Sequence, residues 1–178
     1  MATNSTICKA DLSVSDIDRG YYMQHALTMA QHPSETNQRL VLRLLAFAVH
    51  AGPNLTFGGG LNTDDEPDIW EKNLTGDIDV WVELGLPSEK RIRKACAQSK
   101  AVILYCYGDT GVAAWWQSIR RHVQRFKHLT IWQIPDNASQ IMAEAAARNM
   151  SIQVTIQDRE VTWYSAQTSI AFTCRKIF

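Results

Sequence analysis

A chain of 178 residues, 46% hydrophobic and 20% charged, has the size and composition of one globular domain with a sizeable core. Its 18 basic residues balance its 18 acidic ones, which excludes a protein recruited to nucleic acid or anionic membrane by overall charge. No basic leader followed by an apolar run opens the sequence, and the longest apolar stretch, residues 40–49, contains Arg43 and is too short to span a bilayer; a cytoplasmic protein is expected.

In chain order, residues 5–14 and 20–31 are β-branched, aromatic and apolar enough for two strands, joined by the turn DIDRG. The segment 33–50 carries apolar residues at 40, 41, 44, 45 and 48, a helical stripe, with Ser34 available as its N-cap after Pro33. A short strand fits Leu55 to Phe57, before the glycines at 58–60. Strands follow at 67–73 and 76–84 around a tight turn near Leu74 and Thr75. Ser88 caps a basic helix over 89–99, which leads into a buried strand at 101–107. Then come a helix at about 112–126, a strand at 129–134, a helix at 136–148, and strands at 151–157, 160–165 and 168–174. Helices alternate with strands in the middle and hairpins occupy both ends. The class expected is α/β (α+β), a mixed central sheet flanked by helices. Cys8, Cys96, Cys106 and Cys174 show no CxxC or metal spacing and read as free thiols.

Charge is segregated along this chain. Eight of the acids lie between Asp64 and Glu83, and nine of the bases between Lys90 and Lys127, where Asp109 is the only acid. In a strand over 76–84, Ile78, Val80, Val82 and Leu84 share one face while Asp77, Asp79, Trp81 and Glu83 share the other. If the turn pairs Asn73 with Gly76, Asp68 falls opposite Trp81 with Glu83 as a diagonal neighbour; a shift of two sets Asp68 directly against Glu83, and a slip of one sends it to the opposite face.

Two carboxylates on adjacent strands suit Mg²⁺ or Mn²⁺, hard cations that take oxygen ligands. Such a metal activates water and offsets charge on a phosphodiester under attack. Lys90, Arg91, Arg93 and Lys94 open the next helix, where its positive end and its cations can face a phosphate. A second basic run places Arg121 and Arg125 one turn apart among aromatics, as nucleic-acid surfaces do.

The segments HPSET (32–36), TDDEPDIW (63–70), GDIDVWVELGLPSEKRIRKA (76–95) and TIQD (155–158) carry a resemblance that runs end to end: the chain resembles the YaeQ family of bacterial proteins. That resemblance implies one YaeQ-like domain over 1–178 with a restriction endonuclease-like core of the PD-(D/E)XK type and added hairpins. It matches Pro67 and Asp68 to the PD element, Glu83 to the acidic residue of (D/E)XK, and Glu35 to the helical glutamate that often completes such sites. It also departs from the motif, because Gly85 stands where the lysine belongs. Lys90 or Lys94 on the following helix can take over that role; otherwise the site is dead. Two functions therefore follow. One is a metal-dependent nuclease acting on DNA or RNA through Glu35, Asp68, Glu83, Lys90 and Lys94. The alternative is an inactive nuclease-like scaffold that binds nucleic acid or a protein partner.

Overall fold

The structure is a computed structural model that describes residues 4–59, 61, 63, 65–166 and 168–178. Gly60 of the glycine loop and Asp64, the first residue of the acidic stretch, lie outside that set.

Strict alternation in TICKADLSVSD makes β1 (Thr6–Asp16) a half-buried strand, with Cys8, Ala10, Leu12 and Val14 turned inward. It forms an unbroken antiparallel hairpin with β2 (Tyr21–Gln31). The chain then runs through α1 (Asn37–His50), β3 (Leu55–Phe57), β4 (Ile69–Lys72), β5 (Ile78–Leu84), α2 (Glu89–Gln98), β6 (Ser99–Cys106), α3 (Asp109–Val123), β7 (Leu129–Gln133), α4 (Asp136–Ala143), β8 (Asn149–Gln157), β9 (Glu160–Ser165), β10 (Ser169–Thr173) and β11 (Arg175–Lys176).

The mixed α/β class holds, and the added hairpins from the two chain ends assemble into a sheet of their own. That sheet has the order β10-β9-β8-β1-β2, with β1 and β8 parallel. The other, in the order β11-β7-β6-β5-β4-β3, is parallel through β5, β6 and β7 and antiparallel outside them. Helix α1 lies between the sheets, packed on β1 and β8 of one and on β4 and β5 of the other. Every residue from Arg39 to Ala48 is consequently buried, the condition of a helix with no water-facing side. On the far side of the second sheet, α2 and α3 cover Trp81, Val102, Leu104 and Ile131 with Ile92, Ala95, Val112, Ile119 and Val123. Trp115 and Trp116 pack there too, and the Trp115 indole donates to the Pro87 carbonyl at 2.8 Å. The cysteines are free thiols. Among the described residues, no helix is long and apolar enough to cross a membrane.

The start of α1 differs from expectation. Thr36, not Ser34, is the N-cap: its hydroxyl accepts from the Arg39 N–H at 3.1 Å, while the Ser34 hydroxyl is engaged with His32 Nδ1 at 2.5 Å. Glu35 therefore precedes the helix instead of standing in its first turn. Two other helices also shift. Gly108, at φ 88, opens α3 ahead of the expected residue 112, and α4 stops at Ala143 rather than running to 148.

Candidate functional site

The site forms at the carboxyl ends of the parallel strands, where ligand crevices open in sheets of this kind. Its geometry depends on the β4–β5 hairpin. The Asn73 N–H donates to the Asp77 carbonyl, and the Gly76 N–H, at φ 89, returns to the Asn73 carbonyl, both at 3.0 Å. This turn offsets the pairing by one residue from an Asn73–Gly76 match, and a bulge at Glu71/Lys72 adds another. Two offsets of one restore the face. Ile69 pairs with Val82 and Trp70 with Trp81, so Asp68, one residue ahead of β4, comes level with Glu83.

Three carboxylates gather here, and each is held through both oxygens. Arg39 donates to Glu35 Oε1 at 3.0 Å and to Asp68 Oδ1 at 2.5 Å, and so joins two carboxylates far apart in sequence. Arg43 holds the other Glu35 oxygen at 2.8 Å. Asp68 Oδ2 accepts the Leu84 backbone N–H at 2.8 Å, which ties it to the end of β5. Glu83 accepts from Arg91 Nε at 2.8 Å and from the Trp81 indole N–H at 3.0 Å. Arg91 also donates to the Glu66 carbonyl. All three carboxylates are buried: Glu35, Asp68 and Glu83 are 7%, 1% and 6% exposed. Burial, then the neighbouring Asp68 charge, pushes the Glu83 carboxyl above its ordinary value, against the lowering effect of Arg91 and Trp81. Tyr107, just past β6, belongs to the same field: burial raises its phenol, and the charges of Asp68 and Glu35 add to that while Arg39 opposes it.

The other candidates are dispersed. Lys94 pairs with Asp65 rather than lying against Glu83. Lys90 is exposed on the first turn of α2, and Arg93 pairs loosely with Glu89 at 3.8 Å. Arg91 turns inward to Glu83 and the Glu66 carbonyl and lines the cleft instead of the outer face of α2. Arg121 and Arg125 are exposed at the end of α3 and beyond it, where the Arg125 guanidinium stacks on Phe126. Asp77 is turn chemistry, accepting from Asn73 and Thr75, and Asp79 pairs with Lys100 at 2.6 Å. Sequence reasoning missed Arg39, Arg43 and Tyr107 as site residues. The available signal was two arginines one turn apart inside an apolar helical stripe, since a cation there needs a buried anion.

Gly85 occupies a backbone position that disfavours the lysine expected there. Its φ is 96, a conformation that side-chain-bearing residues rarely adopt, although a Cβ would meet open space. Gly85→Lys is therefore expected to cost about 1–2 kcal/mol in a urea melt, and an unchanged midpoint would refute the backbone explanation.

Arg39, Thr63, Glu83 and Arg91 line a cleft of about 270 Å³. The Thr63 hydroxyl is buried there with no hydrogen-bond partner among the described residues. Asp68, Glu83 and Thr63 are hard oxygen donors of the kind Mg²⁺ or Mn²⁺ takes, so their chemistry fits such an ion. The charges set a condition on it. Glu35, Asp68 and Glu83 are formally neutralised by Arg39, Arg43 and Arg91, so a dication enters a balanced cluster and its charge is offset only if an anion comes with it.

These observations define a mixed α/β protein with a charge-balanced arginine–carboxylate cleft at the carboxyl edge of a parallel sheet segment. The chain belongs to the YaeQ family, whose model matches residues 1–174. It is 43% identical over 165 residues to the uncharacterized YaeQ proteins of Salmonella typhi and Escherichia coli (strain K12), covering 93% of this chain and 91% of each relative. Among solved structures, the YaeQ protein of Xanthomonas axonopodis pv. citri matches at 42% identity with a TM-score of 0.93, covering 97% of this chain and 98% of that one. The YaeQ protein of Pseudomonas syringae matches at 29% identity and 0.95, covering 99% and 98%.

Proposed function

We propose that the chain is a metal-dependent phosphodiesterase acting on DNA or RNA, with a variant PD-(D/E)XK site in a restriction endonuclease-like core. The observation that carries this reading is Asp68 level with Glu83 across the β4–β5 pair, with Glu83, Arg39 and Arg91 lining a cleft and Asp68 buried behind it on Arg39. Asp68 and Glu83 hold Mg²⁺ or Mn²⁺, which when bound supplies an activated water and charge neutralisation at phosphorus. Arg39 and Arg91 meet the phosphate oxygens, since each carries donors in a fork suited to such groups. Glu35 acts through Arg39, fixing the guanidinium from the side away from Asp68. Lys90, exposed at the start of α2, is placed to follow the nucleic-acid backbone, with Arg93, Lys94, Arg121 and Arg125 as further contacts.

Calorimetric titration of Mn²⁺ tests this directly, with wild type beside Asp68→Ala and Glu83→Ala, each with and without a short oligonucleotide. Wild type is expected to bind Mn²⁺ weakly alone and more tightly with oligonucleotide, while both variants lose the ion. Oligonucleotide cleavage is expected to stop in chelator. An ion bound equally well by both variants would sink the reading.

One observation favours a second reading, a non-cleaving scaffold that binds nucleic acid or a protein partner. Every oxygen of the three carboxylates already has a hydrogen-bond donor, so the cluster is complete as a structural element. On that reading wild type takes up no Mn²⁺ with oligonucleotide present, and salt-sensitive binding survives Asp68→Ala.

A further inference from the structure

A cavity of about 480 Å³ lies between the two sheets beside the C-terminal end of α1, away from the carboxylate cleft. Its volume falls in the range that accepts small ligands. Leu45, Val49, Trp132, Ile156 and Val161 give it an apolar wall. At its inner end His50 Nε2 and the Tyr105 hydroxyl are 2.8 Å apart. Burial, with Arg19 nearby, lowers the His50 imidazole to about 4, so at neutral pH the pair is uncharged. Burial raises Cys174 to about 11, and its thiol is therefore no nucleophile here.

The mouth has the opposite character. Of its acids, Asp16 is spent on Arg19 at 2.5 Å, and the Asp18 carboxylate accepts the backbone N–H groups of Asp158 and Arg159 at 2.7 and 2.9 Å. Those two bonds hold Asp158 and Arg159 in a turn at φ 52 and 67, an uncommon conformation for such residues. They present Arg159 at the cavity, which Lys176 also lines, and both are exposed. An apolar chamber with a neutral hydrogen-bonding pair, and with Arg159 and Lys176 set against the single Asp18 carboxylate at its mouth, keeps one positive charge in excess and has the form of a site for an amphipathic anion.

We infer that this cavity binds a small organic monoanion, an aromatic or aliphatic body with one carboxylate or sulfonate, its body against Trp132 and Val49 and its charge at Arg159 and Lys176. The full chain can be titrated with anilinonaphthalene sulfonate, an aromatic monoanion that fluoresces when desolvated, and in parallel with phenylnaphthylamine, the same rings without the charge. One saturable site per chain is expected, with the anion preferred about tenfold, the scale of one partly solvated charge contact. Reversing both rim charges in Arg159→Glu/Lys176→Glu should erase that preference without disturbing the core. Val49→Trp should block both probes by filling the chamber; if it fails to fold, the rim variant alone decides. Arg91→Ala, in the carboxylate cleft, should bind as wild type. Absence of saturable binding, equal affinity for the two probes, an intact preference in the rim variant, or loss of binding in Arg91→Ala would each overturn the inference.

Discussion

Arg39→Met is expected to lower the unfolding free energy by about 3–5 kcal/mol at neutral pH, the cost of removing one partner from a buried ion pair. Domains of this kind have about 5–15 kcal/mol in total, so the variant should be marginal at room temperature. The size follows from the geometry. Arg39 is 9% exposed and, among the described residues, is the only cation paired with Asp68, which is 1% exposed. Methionine fills much of the same volume, so the loss is electrostatic rather than a cavity. Glu35 keeps Arg43, and Asp68 keeps the Leu84 N–H, but the cluster moves from formal balance to one uncompensated negative charge. Urea midpoints followed by circular dichroism measure the effect. The companion Arg39→Met/Asp68→Asn removes the orphaned charge and should regain a clear part of the loss. A loss below about 1 kcal/mol, the size of an exposed pair, would mean that the guanidinium is solvated and the cluster is not a buried network.

That network was only half legible in the sequence, for reasons that differ residue by residue. The hairpin of β1 and β2 and the helix α2 could be read because local signals agree there: alternation of period two in the first, a serine cap before a basic run in the second. The N-terminus of α1 could not, because Ser34 and Thr36 are both capping residues, and His32, by engaging the Ser34 hydroxyl, removes one of them from competition. The pairing of Asp68 with Glu83 was left open between faces because it rests on a turn and a bulge, each shifting the register by one, and neither leaves a sequence mark beyond Gly76. Arg39 and Arg43 in an apolar stripe announce a buried anion, and Glu35 is near in sequence, but Asp68 stands just ahead of β4 and no local pattern announces a contact across that separation. The same is true of the cavity at the far end of α1, whose walls come from both sheets.

The face of β5 that carries Trp81 and Glu83 illustrates how burial changes the meaning of a charge pattern. In sequence, alternating acids make that face look like one turned to water. In the structure α2 and α3 cover it, Trp81 is 1% exposed and Glu83 6%, while Asp77 and Asp79 fall at the hairpin end, where a turn and Lys100 engage them. The acidic stretch is therefore several separate arrangements. Asp65 serves Lys94, Glu66 accepts the Gly59 N–H, and among the described acids of the stretch Asp68 and Glu83 come level with each other, with Glu83 lining the cleft. Concentration along the chain did not become concentration in space.

Trp81→Ala should cost about 3–5 kcal/mol, the range for removing a large aromatic from a core, and Trp81→Phe about 1.5–3 kcal/mol, the worth of its hydrogen bond to a charged group. The indole supports β5 against α2 and α3 and also donates to Glu83 Oε2. Only the second role depends on pH. Because burial and Asp68 raise the folded-state Glu83 carboxyl above its ordinary value, its contribution to stability is fully present below that ordinary value and is lost as pH rises through the raised one. Trp81 restrains that rise by favouring the charged form. Without the indole N–H the folded carboxyl moves higher still, so the deficit of Trp81→Phe against wild type grows as pH climbs through this window and shrinks as pH falls below it. Denaturant melts of both proteins from about pH 4 to about pH 8, spanning the glutamate range and its upward shift, provide the comparison. A deficit that stays flat would show that Glu83 is held by Arg91 alone and that the indole only fills space. Trp81→Phe/Glu83→Gln separates these roles further: with no ionisable group at position 83, any remaining deficit is packing and should not vary across the window.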